Sequence, residues 1–256
     1  MSTAEAVADV LRERILGGDV DASGMLATQD ELVAEFAVSK AAIREACRIL
    51  ETEGLLSIRR GNVGGAAVHV PTPTNVAYSL SLVLDARGVD LADVRATIGQ
   101  IEPLCAGLCA GRADRERAVL PALRAAQAAL VEHLDAGDGS AAAVAARDWH
   151  EALVRGCGLG TLAVIGGALE DVWSSHIHAG LTTTRARRLS PDPTTSRSVV
   201  DDHAHVIELI AAGDVAGARA AAADHLHREP RIHAEGGDVT ALDVRAQIVR
   251  DHLFRP

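Results

Sequence analysis

Aromatic residues are scarce: two Trp, two Phe and one Tyr make up 2% of the 256 residues. A core built almost without them must be filled by Ala, Val and Leu, and these recur at helical spacing, which predicts a mostly α protein. Apolar runs of the roughly 18 residues that a membrane span requires are also missing. The opening MSTAEAVADVLRERIL carries acids where a signal peptide would carry bases, so a cytoplasmic location is expected. Only four cysteines occur, Cys47, Cys105, Cys109 and Cys157, without a CxxC pair or a framework spacing, which leaves buried thiols as the reading. Cys105 and Cys109 lie one helical turn apart, but their Ala, Leu and Gly neighbours favour packing over a shared metal. GxSxG, GxxxxGK[ST] and HExxH are absent, so catalysis has little support. Lysine occurs once, at Lys40.

What is present is a folded chain, 48% hydrophobic, with a net charge of −10 that argues against nonspecific coating of nucleic acid. Val7, Val10, Leu11 and Ile15 form one apolar stripe that ends at Gly17-Gly18. Thr28 and Glu31 fit a capping box opening a second helix, with Leu32, Val33 and Phe36 inward. After a turn at Ala37-Val38, Ser39 is a good N-cap for a third helix to about Glu53, with Ile43, Ala46, Cys47 and Leu50 on its apolar face. Leu55, Leu56 and Ile58, then Arg59-Arg60-Gly61, then residues 66–70 predict two short strands around a basic loop. Pro71 and Pro73 predict a stiff, non-helical connector. The expected division is a unit of three helices and a β-hairpin over 1–71, a linker over 72–75, a bundle of six or seven helices over 76–235, and a tail over 236–256 with a terminal helix.

Lys40, Arg44 and Arg48 recur every four residues and form a basic stripe opposite the apolar face of the third helix. Such a helix fits the major groove, where Arg or Lys bonds guanine edges while Ser39 and the helix N-terminus meet phosphate. Arg59 and Arg60 suit a flanking backbone, and Gly61 allows a close approach. Residues 1–70 nevertheless hold seven Lys or Arg against eleven Asp or Glu, a net charge of −4.

The run from Leu26 to Leu32, through Val38-Ser39-Lys40-Ala41-Ala42-Ile43-Arg44-Glu45-Ala46, to Leu50-Glu51-Thr52-Glu53-Gly54-Leu55, resembles the winged helix-turn-helix signature of the GntR regulators. The resemblance places Ser39, Lys40, Ala41, Ala42, Arg44, Arg60 and Gly61 at DNA. The chain departs from it at Asp30, where many members carry Arg, and at Ala27, where Pro or Arg is usual.

In the second half, His203 shares a face with Val206, Ile207 and Ile210, and Asp214 caps a returning helix on which Ala218, Ala222, His225 and Leu226 point inward. The two histidines stand about 15 and 18 Å from the intervening Gly213 along antiparallel helices, so they meet at similar height. His150, sharing a face with Ala146, Leu153 and Val154, is a third inward imidazole. Three such groups suit Zn, Ni, Co or Mn. His176 and His178 fall outside this pattern and, with Trp173, line the cavity or face solvent.

This half resembles the FCD effector domain of the FadR subgroup, in Ile101-Glu102-Pro103, in Asp148-Trp149-His150-Glu151-Ala152-Leu153, and in Asp202-His203 with His225-Leu226. Metal-binding members supply three His and one Asp. His150, His203 and His225 match, but Ala146 stands in the Asp position, and Asp148 is rotated by about 200° from His150. Either three histidines hold a metal with water, or the pocket is metal-free. An arginine that pairs with a carboxylate effector is replaced by Ile98, with Arg95 one turn earlier. The residues expected at the effector are Arg95, Trp149 and His176. The implied protein is a homodimer that binds a palindromic operator in double-stranded DNA and responds to a small molecule. A metal-dependent helical hydrolase and a helical interaction protein are the competing readings.

Overall fold

Ser2 starts the first helix because its side chain accepts the Glu5 N–H while Glu5 reaches back to the Ser2 N–H, a reciprocal cap. Helix α1 (Thr3–Leu16) then buries Val7, Ala8, Leu11 and Ile15. The structure, a computed structural model, describes residues 1–19, 24–59, 65–182 and 193–228. The hairpin tip with Arg60 and Gly61, and the tail expected over 236–256, lie outside the described residues. Two units are separated by their internal contacts, Met1–Asn75 and Val76–Pro256.

In the first unit α2 (Gln29–Phe36) carries the Thr28/Glu31 capping box read from the sequence. It ends at Ala37 in the left-handed conformation, φ 52°, where the chain turns tightly into α3 (Lys40–Thr52). The cap of α3 is Ser39, whose hydroxyl accepts the Ala42 N–H at 3.2 Å. Strands β1 (Leu56–Arg59) and β2 (Gly65–Val68) pair antiparallel, from Leu56 opposite Val68 to Arg59 opposite Gly65. Leu11, Leu32, Ile43 and Leu50 fill one core cluster, each contributing about 1.5–3 kcal/mol by leaving water.

The segment expected as a non-helical connector is helical from Pro73, the first residue of α4 (Pro73–Ala86). Proline is disruptive inside a helix but suited to its first position, where no intrahelical N–H bond is needed. The Asn75 side chain holds the preceding turn by accepting the Thr72 N–H at 2.8 Å.

The second unit contains α4, α5 (Leu91–Gly111), α6 (Arg115–Ala118), α7 (Leu120–Asp135), α8 (Gly139–Gly156), α9 (Gly160–Thr182), α10 (Pro193–Ala212) and α11 (Val215–Arg228). This is one helix more than expected, because Pro121 in the first turn of α7 sets the single turn of α6 apart. Helix α5 packs against α8, α9, α10 and α11. With few aromatics, these helices approach on small residues: Ala106, Ala110, Ala152, Ala218 and Ala222 are all in the core. At Gly166 a Cβ would stand 2.7 Å from Val154 Cγ1, so α8 and α9 meet at that distance only with glycine. No helix among the described residues is long and apolar enough to cross a membrane.

Candidate DNA-binding face and metal centre

Burial of Ile43, Ala46 and Leu50 turns the opposite side of α3 outward, and Lys40, Ala41, Arg44 and Arg48 are exposed there beside Ser39, with Ala42 half-buried. The cations are not equally available. Lys40 Nζ lies 2.6 Å from Asp30 Oδ1, and Arg48 lies 3.5 Å from Glu45. The Gln29 amide donates to the Lys40 carbonyl at 3.0 Å, so α2 braces the first turn of α3 twice. Arg44 makes no hydrogen bond or ion pair among the described residues. Arg59 closes β1, while Arg60 and Gly61 cannot be placed on this face, since they lie outside the described residues.

In the second unit α8, α10 and α11 bring His150, His203 and His225 together, with exposures of 6%, 0% and 1%. One nitrogen of each lies within 4.8 Å of the others. His203 Nε2 and His225 Nε2 are 3.2 Å apart. Two nitrogens bound tetrahedrally to one cation at about 2.0–2.1 Å would stand about 3.4 Å apart, so two rings already have the required span. Burial, reinforced by the neighbouring His150 and His225, holds the His203 pKa well below 6.5 and keeps that ring neutral. The neutral ring is the form that binds a metal.

Carboxylates back two of these rings. Glu102, 1% exposed on α5, accepts from His150 Nδ1 at 2.8 Å. Asp202 Oδ2 lies 3.4 Å from His225 Nδ1, and its other oxygen accepts from Arg228 at 2.8 Å. Burial pushes Glu102 upward, but its interactions with His150 and a hydrogen bond with Glu170 outweigh it, and the net shift is down. His203 Nδ1 is buried without a hydrogen-bond partner. The donor set, the neutral state of His203 and this orphaned nitrogen fit a borderline divalent cation. Ala146 is half-buried and offers no ligand, and Asp148 is exposed on the far side of α8.

Of the expected effector residues, Trp149 is at the centre, stacked on His203 with ring centroids 3.8 Å apart, and its indole N–H is buried without a partner. Arg95 donates to the Leu226 carbonyl at 2.9 Å and lies over Trp173. His176 Nδ1 bonds the Val172 carbonyl of its own helix at 2.7 Å, leaving Nε2 buried and unpaired. A surface groove of about 520 Å³, lined by residues including Leu104, Leu108, Cys157, Leu159 and Arg219, includes none of the three histidines. Cys105, Cys109 and Cys157 are buried free thiols, and burial pushes Cys109 up to about 12. In the sequence Glu102 stands out only as part of the segment Ile101-Glu102-Pro103. Its signal was an acid on a stripe otherwise made of Ile98, Cys105, Ala106 and Cys109.

The FCD domain matches residues 90–228, and the gntR family of bacterial regulatory proteins matches residues 3–64. The chain belongs to the GntR family of transcriptional regulators. Its second unit carries that family's FCD effector-binding domain. The gluconate operon transcriptional repressor of Bacillus licheniformis is 37% identical over 86 residues, 33% of this chain and 34% of that protein. The chain therefore matches about a third of that curated relative's length. A GntR structure from Streptococcus agalactiae superposes with a TM-score of 0.61 at 21% identity, covering 88% of this chain and 97% of that one, which supports the fold. GntR regulators bind DNA and small-molecule effectors and are not, in general, enzymes. FCD domains can bind metals.

Proposed function

We propose that this GntR regulator is a cytoplasmic homodimer of the FadR subgroup whose operator affinity is set by a small carboxylate bound beside a divalent metal. His150, His203 and His225 would hold the metal. A bound cation would supply Lewis-acid binding of a carboxylate, with Trp149, Arg95 and His176 as the residues around the ligand. The observation that carries this reading is the enclosure of three buried imidazoles in a regulator's effector domain, with no carboxylate at Ala146 to complete their shell. With three protein ligands, a bound cation would keep an open position for water or an effector oxygen.

On the DNA side, two copies of α3 would enter successive major grooves of a palindromic site, with Ser39, Lys40, Ala41, Ala42, Arg44 and Arg48 at the duplex and Arg59, Arg60 and Gly61 on the wing. Pairing supplies affinity that one unit with a net charge of −4 over residues 1–70 lacks. An effector shifts operator affinity by binding the two arrangements of the dimer unequally.

The test is a gel-shift assay with the DNA flanking the protein's own gene. It is run on metal-free and zinc-loaded protein, with and without a panel of hydroxy and keto acids. Sequence-specific binding that changes with a carboxylate only when zinc is present is the expected result. Binding indifferent to both zinc and every acid would overturn the effector reading.

A further inference from the structure

Resting on the metal reading above, we infer that Glu102 and Asp202 are positioning residues that fix the tautomers of His150 and His225. A carboxylate is only an acceptor, so each ring nitrogen that meets one must carry the proton. The Glu102 contact therefore places a proton on His150 Nδ1, and the Asp202 contact places one on His225 Nδ1. A neutral imidazole holds one proton, so Nε2 is the lone-pair nitrogen of both rings.

The third ring follows from the second. His225 Nε2 accepts, so His203 Nε2, 3.2 Å away, must donate to it. That leaves His203 Nδ1 bare, which agrees with a buried nitrogen lacking any partner. Two carboxylates on α5 and α10 thus order three rings on three helices. His203 has no carboxylate behind it among the described residues, so a cation held at its Nε2 would require the ring's one proton to sit on Nδ1, the nitrogen left without a partner. Trp149, stacked on it at an interplanar angle of 1°, holds the ring plane without taking a hydrogen bond from either nitrogen. Asp202 is itself held by Arg228, so the His225 ring is steered from the last turn of α11. Carboxylates placed behind metal-bound imidazoles raise their basicity and hold their orientation, and losing one typically weakens metal binding by about 10- to 100-fold.

The full chain, stripped of metal and labelled with ¹⁵N-histidine, is read by long-range ¹H–¹⁵N correlation. Protons on Nδ1 of His150 and His225 and on Nε2 of His203 are expected, and a proton on His150 Nε2 overturns the proposal. Cobalt titration followed by its visible absorption is then compared across variants. Glu102→Leu and Asp202→Ala should each weaken cobalt binding by about 10- to 100-fold, with Glu102→Gln, which keeps an acceptor, close to wild type. Asp202 is partly exposed, so Asp202→Ala keeps the test available if the buried Glu102→Leu does not fold. Wild-type affinity in both variants overturns the positioning role. If the wild type takes up no cobalt, the metal reading fails, and the tautomers alone decide the placement of the protons.

Discussion

The two functional regions use charge in opposite ways. On α3 the cations stand in water, Lys40 with 60% and Arg48 with 72% of the side chain exposed, and exposed ion pairs such as theirs are individually worth about 0–1 kcal/mol. In the helical unit His150, His203, His225 and Glu102 are all buried, where an unpaired polar atom costs about 1–3 kcal/mol. The first surface is inexpensive to alter and depends on a partner for its energy. The second is over-determined, because each ring's hydrogen bond constrains the next. The proposed function needs both: a face to meet phosphate through weak, additive contacts, and an interior to recognise a ligand through few and exacting ones.

The largest effect that would break this contrast is at the interior. His203→Ala should reduce zinc content, measured by elemental analysis, from about one per chain to none, because a two-ligand remainder does not retain the ion. The circular dichroism spectrum should stay helical while the melting temperature falls, since Trp149 loses the ring it stacks on. An unchanged zinc content would remove the three-histidine site. Next in size is Arg44→Glu, which should lower specific operator affinity by about 100-fold or more, by removing a base contact and placing an anion against phosphate. Arg44 is exposed, so the thermal melt should not move. Full operator binding in a charge-reversed protein would dissociate α3 from recognition.

A smaller effect lies in pH. The folded chain keeps His203 neutral well below 6.5, whereas the unfolded chain protonates it near that value. The unfolded state therefore binds more protons, and stability falls as pH drops below about 6.5. Glu102, whose net shift is down, adds a further loss below its ordinary 4.5, because the folded chain must then protonate a carboxylate held by His150. Urea midpoints of metal-stripped protein between about pH 7.5 and about pH 5 should fall steadily. His203→Phe should flatten the upper part of that slope, and a wild-type midpoint independent of pH would mean that the ring is solvated.

Local signals were legible in the sequence, and signals that depend on packing were not. The caps at Thr28, Ser39 and Asp214 are legible because each lies within one helical turn of its partner. The meeting of His203 with His225 also followed from counting outward from Gly213, since two helices joined by a tight turn share one register. Glu102 could not be paired in this way. It stands 48 residues before His150, and their contact exists only because α5 packs on α8. Pro73 is ambiguous for a different reason: proline has the same local meaning as a breaker and as a first helical residue, and only the turn at Thr72 and Asn75 distinguishes them. The pairing of Lys40 with Asp30 likewise depends on the crossing of α2 over α3.

That pairing yields the smallest and sharpest test of the contrast. Asp30 sits in the first turn of α2 with 77% of its side chain exposed, beside the surface proposed to meet DNA. An anion there repels phosphate and holds the ammonium of the only lysine 2.6 Å away. Asp30→Asn removes both effects and leaves the shape nearly unchanged. Nonspecific affinity should rise by roughly 3- to 10-fold at low salt, and the dependence of log K on log salt should steepen by about one phosphate contact as Lys40 is released. Fluorescence anisotropy over a salt series, on an operator and on a random duplex, measures both quantities. If the slope does not change on either duplex, Asp30 does not restrain Lys40 in solution. If the operator alone loses affinity, the carboxylate is reading a base, as an acceptor for a cytosine amino group.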